Sequence, residues 1–283
     1  MNVRRAKTAG FCMGVSLALR TLDNAIRKNP GSRRICTLGP IIHNPQVLAD
    51  YEALGVTCLQ NFDSVTGNDI VVIRAHGITQ QVEATLRASG ATIIDATCPR
   101  VKKAQLSIAE ATSDGSSLLL FGEADHPEVR GLISYAHSRN FVFPDLQALQ
   151  ELELDPAQSW VLASQTTQNA SVFASIRSYL AEQLPHLTVL ATICDATDER
   201  QKEARAIAAD VDAMVVVGGK QSGNTRRLAS LAAECGIATY HVEDIRELDR
   251  DVFQGKQTIG LTAGASTPKA LIDAAEKWLC ELC

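Results

Sequence analysis

Three segments of this chain repeat the same order of parts, and each is opened by a cysteine. The first begins at GFCMG, where Cys12 leads into a helical pattern of Val15, Ala18, Leu19, Leu22 and Ile26 that Asn29-Pro30-Gly31 stops. A short strand at 34–38 then runs into GPIIHNPQV and a second helix. The apolar strand DIVVIRAHG follows, carrying His76, with a third helix from Gln80 to Ser89. The second segment opens at TIIDATCPRV: Cys98 begins a helix through Ile108, and the strand SLLLFG leads into EADHPEVRG and another helix. Its second strand, SWVLASQTT, ends in polar residues before a helix around 173–184. The third opens at TICDATDERQ, with a helix from Cys194 to Ala209, the strand AMVVVGG, and KQSGNTRRL starting the next helix. TIGLTAGAST and a helix from Pro268 to Leu282 close the chain.

The spacings agree with a true repeat. Cys12 to His43 is 31 positions, and Cys98 to His126 and Cys194 to Ser222 are both 28. The distance from each cysteine to the second polar strand end is 64 for His76, 68 for Thr166 and 72 for Ser266. Apolar strands alternating with helices imply parallel sheets joined by right-handed crossovers. Ligands of such sheets sit beyond the carboxyl ends of the strands, where these polar residues fall. The expected fold is therefore α/β, with three similar units at 1–97, 98–193 and 194–283 related by a pseudo-threefold axis. That axis would bring Cys12, Cys98 and Cys194 together with their polar turns.

Three thiolates around one point suit a four-iron, four-sulfur cluster with one iron free of protein ligands. Zinc with water in its fourth position accepts the same donor set, and the residues alone leave both open. The other cysteines, Cys36, Cys58, Cys235, Cys280 and Cys283, read as small apolar side chains. His137, His186 and His241 read as ordinary histidines, whereas His43, His76 and His126 occupy equivalent strand-end turns. Ser222 and Asn224 at a helix start suit a diphosphate, although plain helix capping explains them as well. Ser266 has the same two readings. Glu128 lies two residues after His126, so both can reach one cavity; taken singly it is as easily a surface carboxylate.

Composition narrows the partners. With 27 basic against 32 acidic residues and 5% aromatics, the chain has neither a basic stripe nor stacking platforms for nucleic acid, nor charge for an anionic membrane. Any phosphate must be held by a few local donors. Arg4, Arg5 and Lys7 before a mildly apolar run superficially suggest a secretory signal. Gly10, Cys12, Gly14 and Ser16 interrupt that run, and no small-residue cleavage site follows. No stretch approaches the roughly 20 apolar residues of a membrane span. A cytoplasmic location is expected, where cysteines serve metals or catalysis more often than disulfides.

As an ordered set, GFCMGV, GPIIHNPQV, RAHG, DATCP, HPEV, SQTT, TICDAT with ERQ, SGNT and TAGAS resemble the 4-hydroxy-3-methylbut-2-enyl diphosphate reductases over nearly the whole chain. The resemblance implies one [4Fe–4S] cluster per chain held by Cys12, Cys98 and Cys194, within three α/β units. It implies that His43, His76 and His126 face the diphosphate or neighbouring oxygens, with Ser222, Asn224 and Ser266 completing that pocket. Thr166 would orient the substrate hydroxyl, and Glu128 would donate the proton. The implied reaction is reductive dehydroxylation to isopentenyl and dimethylallyl diphosphate, with ferredoxin or flavodoxin as external one-electron donor.

Four positions depart from the common wording of that family. Gln105 stands where histidine is frequent, Asp198-Glu199 where Thr-Asn is frequent, and Gly223 where some members have a second serine. Competing readings are a non-redox four-iron hydro-lyase, an enzyme like quinolinate synthase, and a cluster-bearing sensor. Redox turnover separates the first, the ordered motifs disfavour the second, and the absent basic stripe disfavours the third.

Overall fold

The computed structural model describes residues 1–29, 31 and 33–282; Pro30 of the expected helix stop and Cys283, read above as a small apolar side chain, lie outside the described residues. The chain opens with β1 (Asn2–Arg5), α1 (Met13–Lys28), β2 (Ile35–Leu38), α2 (Pro45–Ala53), β3 (Val56–Leu59), β4 (Ile70–Ile73), α3 (Gln80–Ala88) and β5 (Thr92–Asp95). There follow α4 (Pro99–Ala111), β6 (Ser117–Phe121), α5 (Pro127–Ile133), β7 (Asn140–Phe143), α6 (Leu146–Gln150), β8 (Trp160–Ser164), α7 (Ala170–Ala181) and β9 (Leu187–Val189). The last stretch holds α8 (Asp195–Ala208), β10 (Ala213–Val217), α9 (Gly223–Ala233), β11 (Ala238–Val242), β12 (Thr258–Ala263) and α10 (Lys269–Cys280).

These strands form three four-stranded sheets, ordered β1-β12-β10-β11, β3-β2-β4-β5 and β7-β6-β8-β9, and every pairing is parallel. The α/β repeat expected from the sequence is thus present, with one rearrangement. β1 takes the place beside β12 that β5 takes beside β4 and β9 beside β8. The N-terminal strand therefore completes the sheet of the C-terminal repeat. Contacts divide the chain into two compact units: Met1–Ser16, Ile42–Tyr51 and Asp195–Cys283 form one, and Leu17–Ile41 with Glu52–Cys194 form the other. The first contains the β1-β12-β10-β11 sheet, and the second contains the other two.

The central strands are continuous apolar runs because helices cover both of their faces. In β6, Leu119 and Phe121 join Phe143, Trp160, Leu162, Ile176 and Leu180 on one face. Leu118 and Leu120 join Val129, Leu132 and Val161 on the other, the alternation a strand imposes. β10 does likewise: Val215 and Val217 pack with Ile272, Ala275 and Leu279 of α10. Met214 turns to Ile207 and Ala208 of α8. Truncating a fully buried leucine such as Leu119 to alanine costs about 2–5 kcal/mol by this kind of packing loss.

One backbone pattern recurs three times and sets the site. A glycine follows each of β2, β6 and β10, and its N–H bonds the last carbonyl of the neighbouring strand: Gly39 to Leu59 at 2.7 Å, Gly122 to Phe143 at 2.9 Å, Gly218 to Val242 at 2.8 Å. Four residues past each glycine stand His43, His126 and Ser222. Each cysteine N–H in turn bonds the carbonyl two residues past the adjacent central strand: Cys12 to Ala265 at 3.2 Å, Cys98 to Ala75 at 2.9 Å, Cys194 to Thr166 at 2.9 Å. This register corrects the spacing argument by one residue. Leu38, Phe121 and Val217 precede the three glycines, and the ladders set Ile73, Ser164 and Ala263 at the matching ends of β4, β8 and β12. Thr166 is therefore equivalent to Ala75 and Ala265, and Thr167 is the counterpart of His76 and Ser266.

Candidate active site

In the unit that holds two sheets, the decisive side chain is Glu128. Pro127 opens α5, so Glu128 sits in the first helical turn, where an acid faces the positive end of the helix dipole. Its backbone N–H donates to Nδ1 of His126, the N-cap, at 3.2 Å. Nδ1 is thereby the acceptor, which leaves the hydrogen of the neutral ring on Nε2. Glu128 is only 2% exposed, and Thr166 holds both oxygens of its carboxyl. The Thr166 N–H donates to Oε1 at 2.6 Å and its hydroxyl to Oε2 at 3.0 Å. Because the Thr166 carbonyl accepts the Cys194 amide, a continuous chain of bonds joins Cys194 to the carboxyl.

His76 meets His126 edge to face, with ring centroids 5.4 Å apart. Gln105 fills the space over the turn that carries His76. A Cβ on Gly77 would lie 2.9 Å from Gln105 Nε2, a side-chain end that can give way, so it is the φ of +74° that disfavours a side chain at that turn. Gln165 ties the two turns of its sheet together: its Oε1 accepts from the Glu123 N–H at 3.2 Å and its Nε2 donates to Thr167 at 3.2 Å. Thr192 steadies the approach to Cys194 by accepting the Ser164 N–H at 2.7 Å.

In the other unit, Gly219 is the centre of a second cluster. The backbone of 43 and 44 lies so close that a Cβ at 219 would come within 2.5 Å of the His43 carbonyl oxygen. Ser266 Oγ donates to that same carbonyl at 3.1 Å, and Ser222 caps α9 by accepting the Thr225 N–H at 3.4 Å. Asn44 caps α2 through its Oδ1, which accepts from Val47 at 3.0 Å. The side-chain N–H groups of Asn44 and Asn224 are buried with no hydrogen-bond partner among the described residues. Such donors are costly to leave unmet, so the cluster can take an acceptor-rich ligand. His241 supports the turn from behind, with Nε2 2.9 Å from the Gly218 carbonyl.

His76, His126, Glu128, Thr166, Cys98 and Cys194 thus fall in one unit, and Cys12, His43, Ser222, Asn224 and Ser266 in the other. Asn44, Gln165 and Thr192 were not singled out from the sequence. Asn44-Pro45 is a helix-start signal that flagged the position without revealing its unmet amide. Of the remaining cysteines, Cys36 is fully buried and burial pushes its thiol up to about 11, as suits a small core residue. Cys58, Cys235 and Cys280 are exposed, because they lie on an edge strand, past α9 and at the end of α10, where little covers them.

A model described as LytB protein matches residues 3–280. The chain belongs to the LytB family. A relative from Desulfovibrio desulfuricans named 4-hydroxy-3-methylbut-2-enyl diphosphate reductase is 65% identical, with all of both chains aligned. One of the same name from Geobacter sulfurreducens is 42% identical over 96% of this chain and 95% of its own. The solved E-1-hydroxy-2-methyl-but-2-enyl-4-diphosphate reductase of Plasmodium falciparum superposes with a TM-score of 0.92 at 25% identity, covering 99% of this chain and 87% of that one. A second solved structure, titled as the terminal enzyme of the non-mevalonate pathway, is 36% identical with a TM-score of 0.69 and covers 99% of this chain and 100% of that one. Among the described residues no helix is long and apolar enough to cross a membrane.

Proposed function

We infer that this chain reduces 4-hydroxy-3-methylbut-2-enyl diphosphate to isopentenyl diphosphate and dimethylallyl diphosphate, the last step of the methylerythritol phosphate route. The observation that carries this reading beyond the family is the Glu128 carboxyl, buried and held at both oxygens by Thr166, one peptide link from the Cys194 amide. The balance of the reaction is one C–O bond broken, two electrons and two protons taken up, and one water released.

Cys12, Cys98 and Cys194 fit an iron–sulfur cluster by donor chemistry. All three are partly exposed and outside any disulfide among the described residues, at equivalent places in the repeat. A set of three soft ligands suits a [4Fe–4S] cluster with one iron left for substrate. When bound, that group supplies a Lewis acid and a path for single electrons.

The chain's own residues do the rest. Glu128, as the acid, gives its proton towards the departing hydroxyl, and burial in place of water keeps that proton directed. Thr166 donates its hydroxyl hydrogen to Glu128, so its lone pairs are turned outward to accept from the substrate hydroxyl and orient it. His126 presents an Nε2–H, and with His43 and His76 it offers hydrogen bonds to diphosphate oxygens without adding permanent charge. Ser222, Asn224 and Ser266 complete the anion site at the start of α9. The second proton, at the carbon, comes from the bound diphosphate. Electrons come from an external one-electron donor of the ferredoxin or flavodoxin kind, and the reaction is placed in the cytoplasm, where thiols stay reduced.

Anaerobic turnover with reduced viologen tests the reading. Substrate-dependent dye oxidation with both C5 diphosphates appearing is expected. Protein carrying four irons per chain but giving no turnover would remove it and favour a hydro-lyase or sensor.

A further inference from the structure

The three cysteines are carried on connections of different length. Two residues (96 and 97) separate β5 from Cys98, four (190–193) separate β9 from Cys194, and six (6–11) separate β1 from Cys12. The shorter two are held by the sheets they leave. Ala96 N–H continues the ladder to Ile73 O at 3.1 Å, Leu190 N–H does so to Leu162 O at 2.8 Å, and Thr192 is bonded to Ser164. The longest leaves its sheet after the Ala6 N–H bonds Leu261 O at 2.8 Å.

From there its polar groups turn to α8. Glu203 accepts from the Lys7 N–H at 2.8 Å, the Thr8 N–H at 2.9 Å and the Thr8 hydroxyl at 2.6 Å. Arg200, one turn earlier on α8 and 6% exposed, donates Nη2 to the Gly10 carbonyl at 2.7 Å. Its Nη1 bonds Ala196 O of the same helix at 3.2 Å, which fixes the guanidinium on its own scaffold. Gly10 has φ +109°, a conformation other residues rarely adopt. Burial opposes ionisation of Glu203, but the bonds from Thr8 and Lys7 outweigh it and hold the carboxyl below its ordinary range.

We propose that Arg200 and Glu203 are positioning residues that brace the 7–10 loop so that Cys12 is presented for cluster ligation, a role that rests on the cluster reading above. Neither needs to touch substrate. Each removes freedom from a connection that its own sheet leaves unsupported.

The test uses full-length Arg200→Met, Arg200→Lys and Glu203→Gln. Hydrogen–deuterium exchange of the cluster-free protein is compared with the rate at which a chelator strips iron from the reconstituted protein. In Arg200→Met, exchange at residues 6–12 and iron loss should each rise about tenfold, with 96–98 and 190–194 unchanged. Glu203→Gln should move the same segment less, and Arg200→Lys should recover part of the loss. Unchanged exchange at 6–12 in both Arg200→Met and Glu203→Gln would overturn the brace, as would equal acceleration around all three cysteines. If Arg200→Met does not fold, Glu203→Gln decides by the same two readouts. Failure of the unaltered protein to bind four irons would instead strike the cluster reading, while the exchange data still judge the brace.

Discussion

The turn after β6 and the turn after β10 have the same backbone and opposite chemistry. Each follows a fully buried five-residue strand, starts with a glycine bonded to the neighbouring strand, and reaches a helix N-cap four residues later. After β6 the cap is His126 and the next turn buries the acid Glu128. After β10 the cap is Ser222 and the next turn buries the amide donor of Asn224. A repeated scaffold therefore fixes where side chains stand, and the residue at each place decides whether a carboxyl or an amide donor is buried there. A helix N-terminus serves both ends, since it steadies a carboxylate as readily as a phosphate.

The strongest way to break this contrast is Glu128→Gln. An amide fills the same space beside Thr166 but has no acidic proton to give. A loss of 10²–10⁴-fold in kcat is expected at unchanged iron content and nearly unchanged substrate affinity; an unaltered rate would take Glu128 out of the acid role. On the other turn, Asn224→Ala should act on binding. A KM raised about tenfold with kcat little affected is the expected result of steady-state assays, because the lost donor serves an anion held alike before and during reaction. A larger effect on kcat than on KM would blur the division between the two turns.

The smallest effect belongs to the third sheet and serves as a control. Asp69 is held down to about 2, first by its hydrogen bond with Arg34, against burial, and then by Thr66. Its carboxyl is thus lower in the folded than in the unfolded chain. That contribution is fully present above about pH 4 and is lost as pH falls towards 2. Asp69→Asn should cost about 1–2 kcal/mol at pH 7, discounted because Arg34 is 38% exposed, and most of that cost should be gone by pH 2. Denaturant midpoints at the two pH values check this, with KM and kcat unmoved.

The candidate residues were legible because their chemistry is local. Cys12, Cys98, Cys194 and the polar words after β2, β4, β6, β8, β10 and β12 sit beside strands whose apolar runs need no partner to be recognised. The edge strands β3, β7, β9 and β11 escaped notice since each is short and half exposed, with burial patterns that carry no clear alternation. The one-residue slip at Thr166 has a similar origin: loop lengths differ between repeats, and counting from the cysteine accumulates that difference, whereas the strand ladder does not.

By itself the sequence determined the α/β repeat, the three thiols and the turns that carry Glu128 and Asn224, for these depend on apolar runs, glycines and caps within a few residues of one another. Only the tertiary structure decided that β1 completes the last sheet, that Thr166 grips both oxygens of Glu128, and that Arg200 and Glu203 hold the loop before Cys12. Those partners lie 38 to 195 positions apart or more along the chain, and the hydrogen bonds that unite them exist only once the sheets have formed.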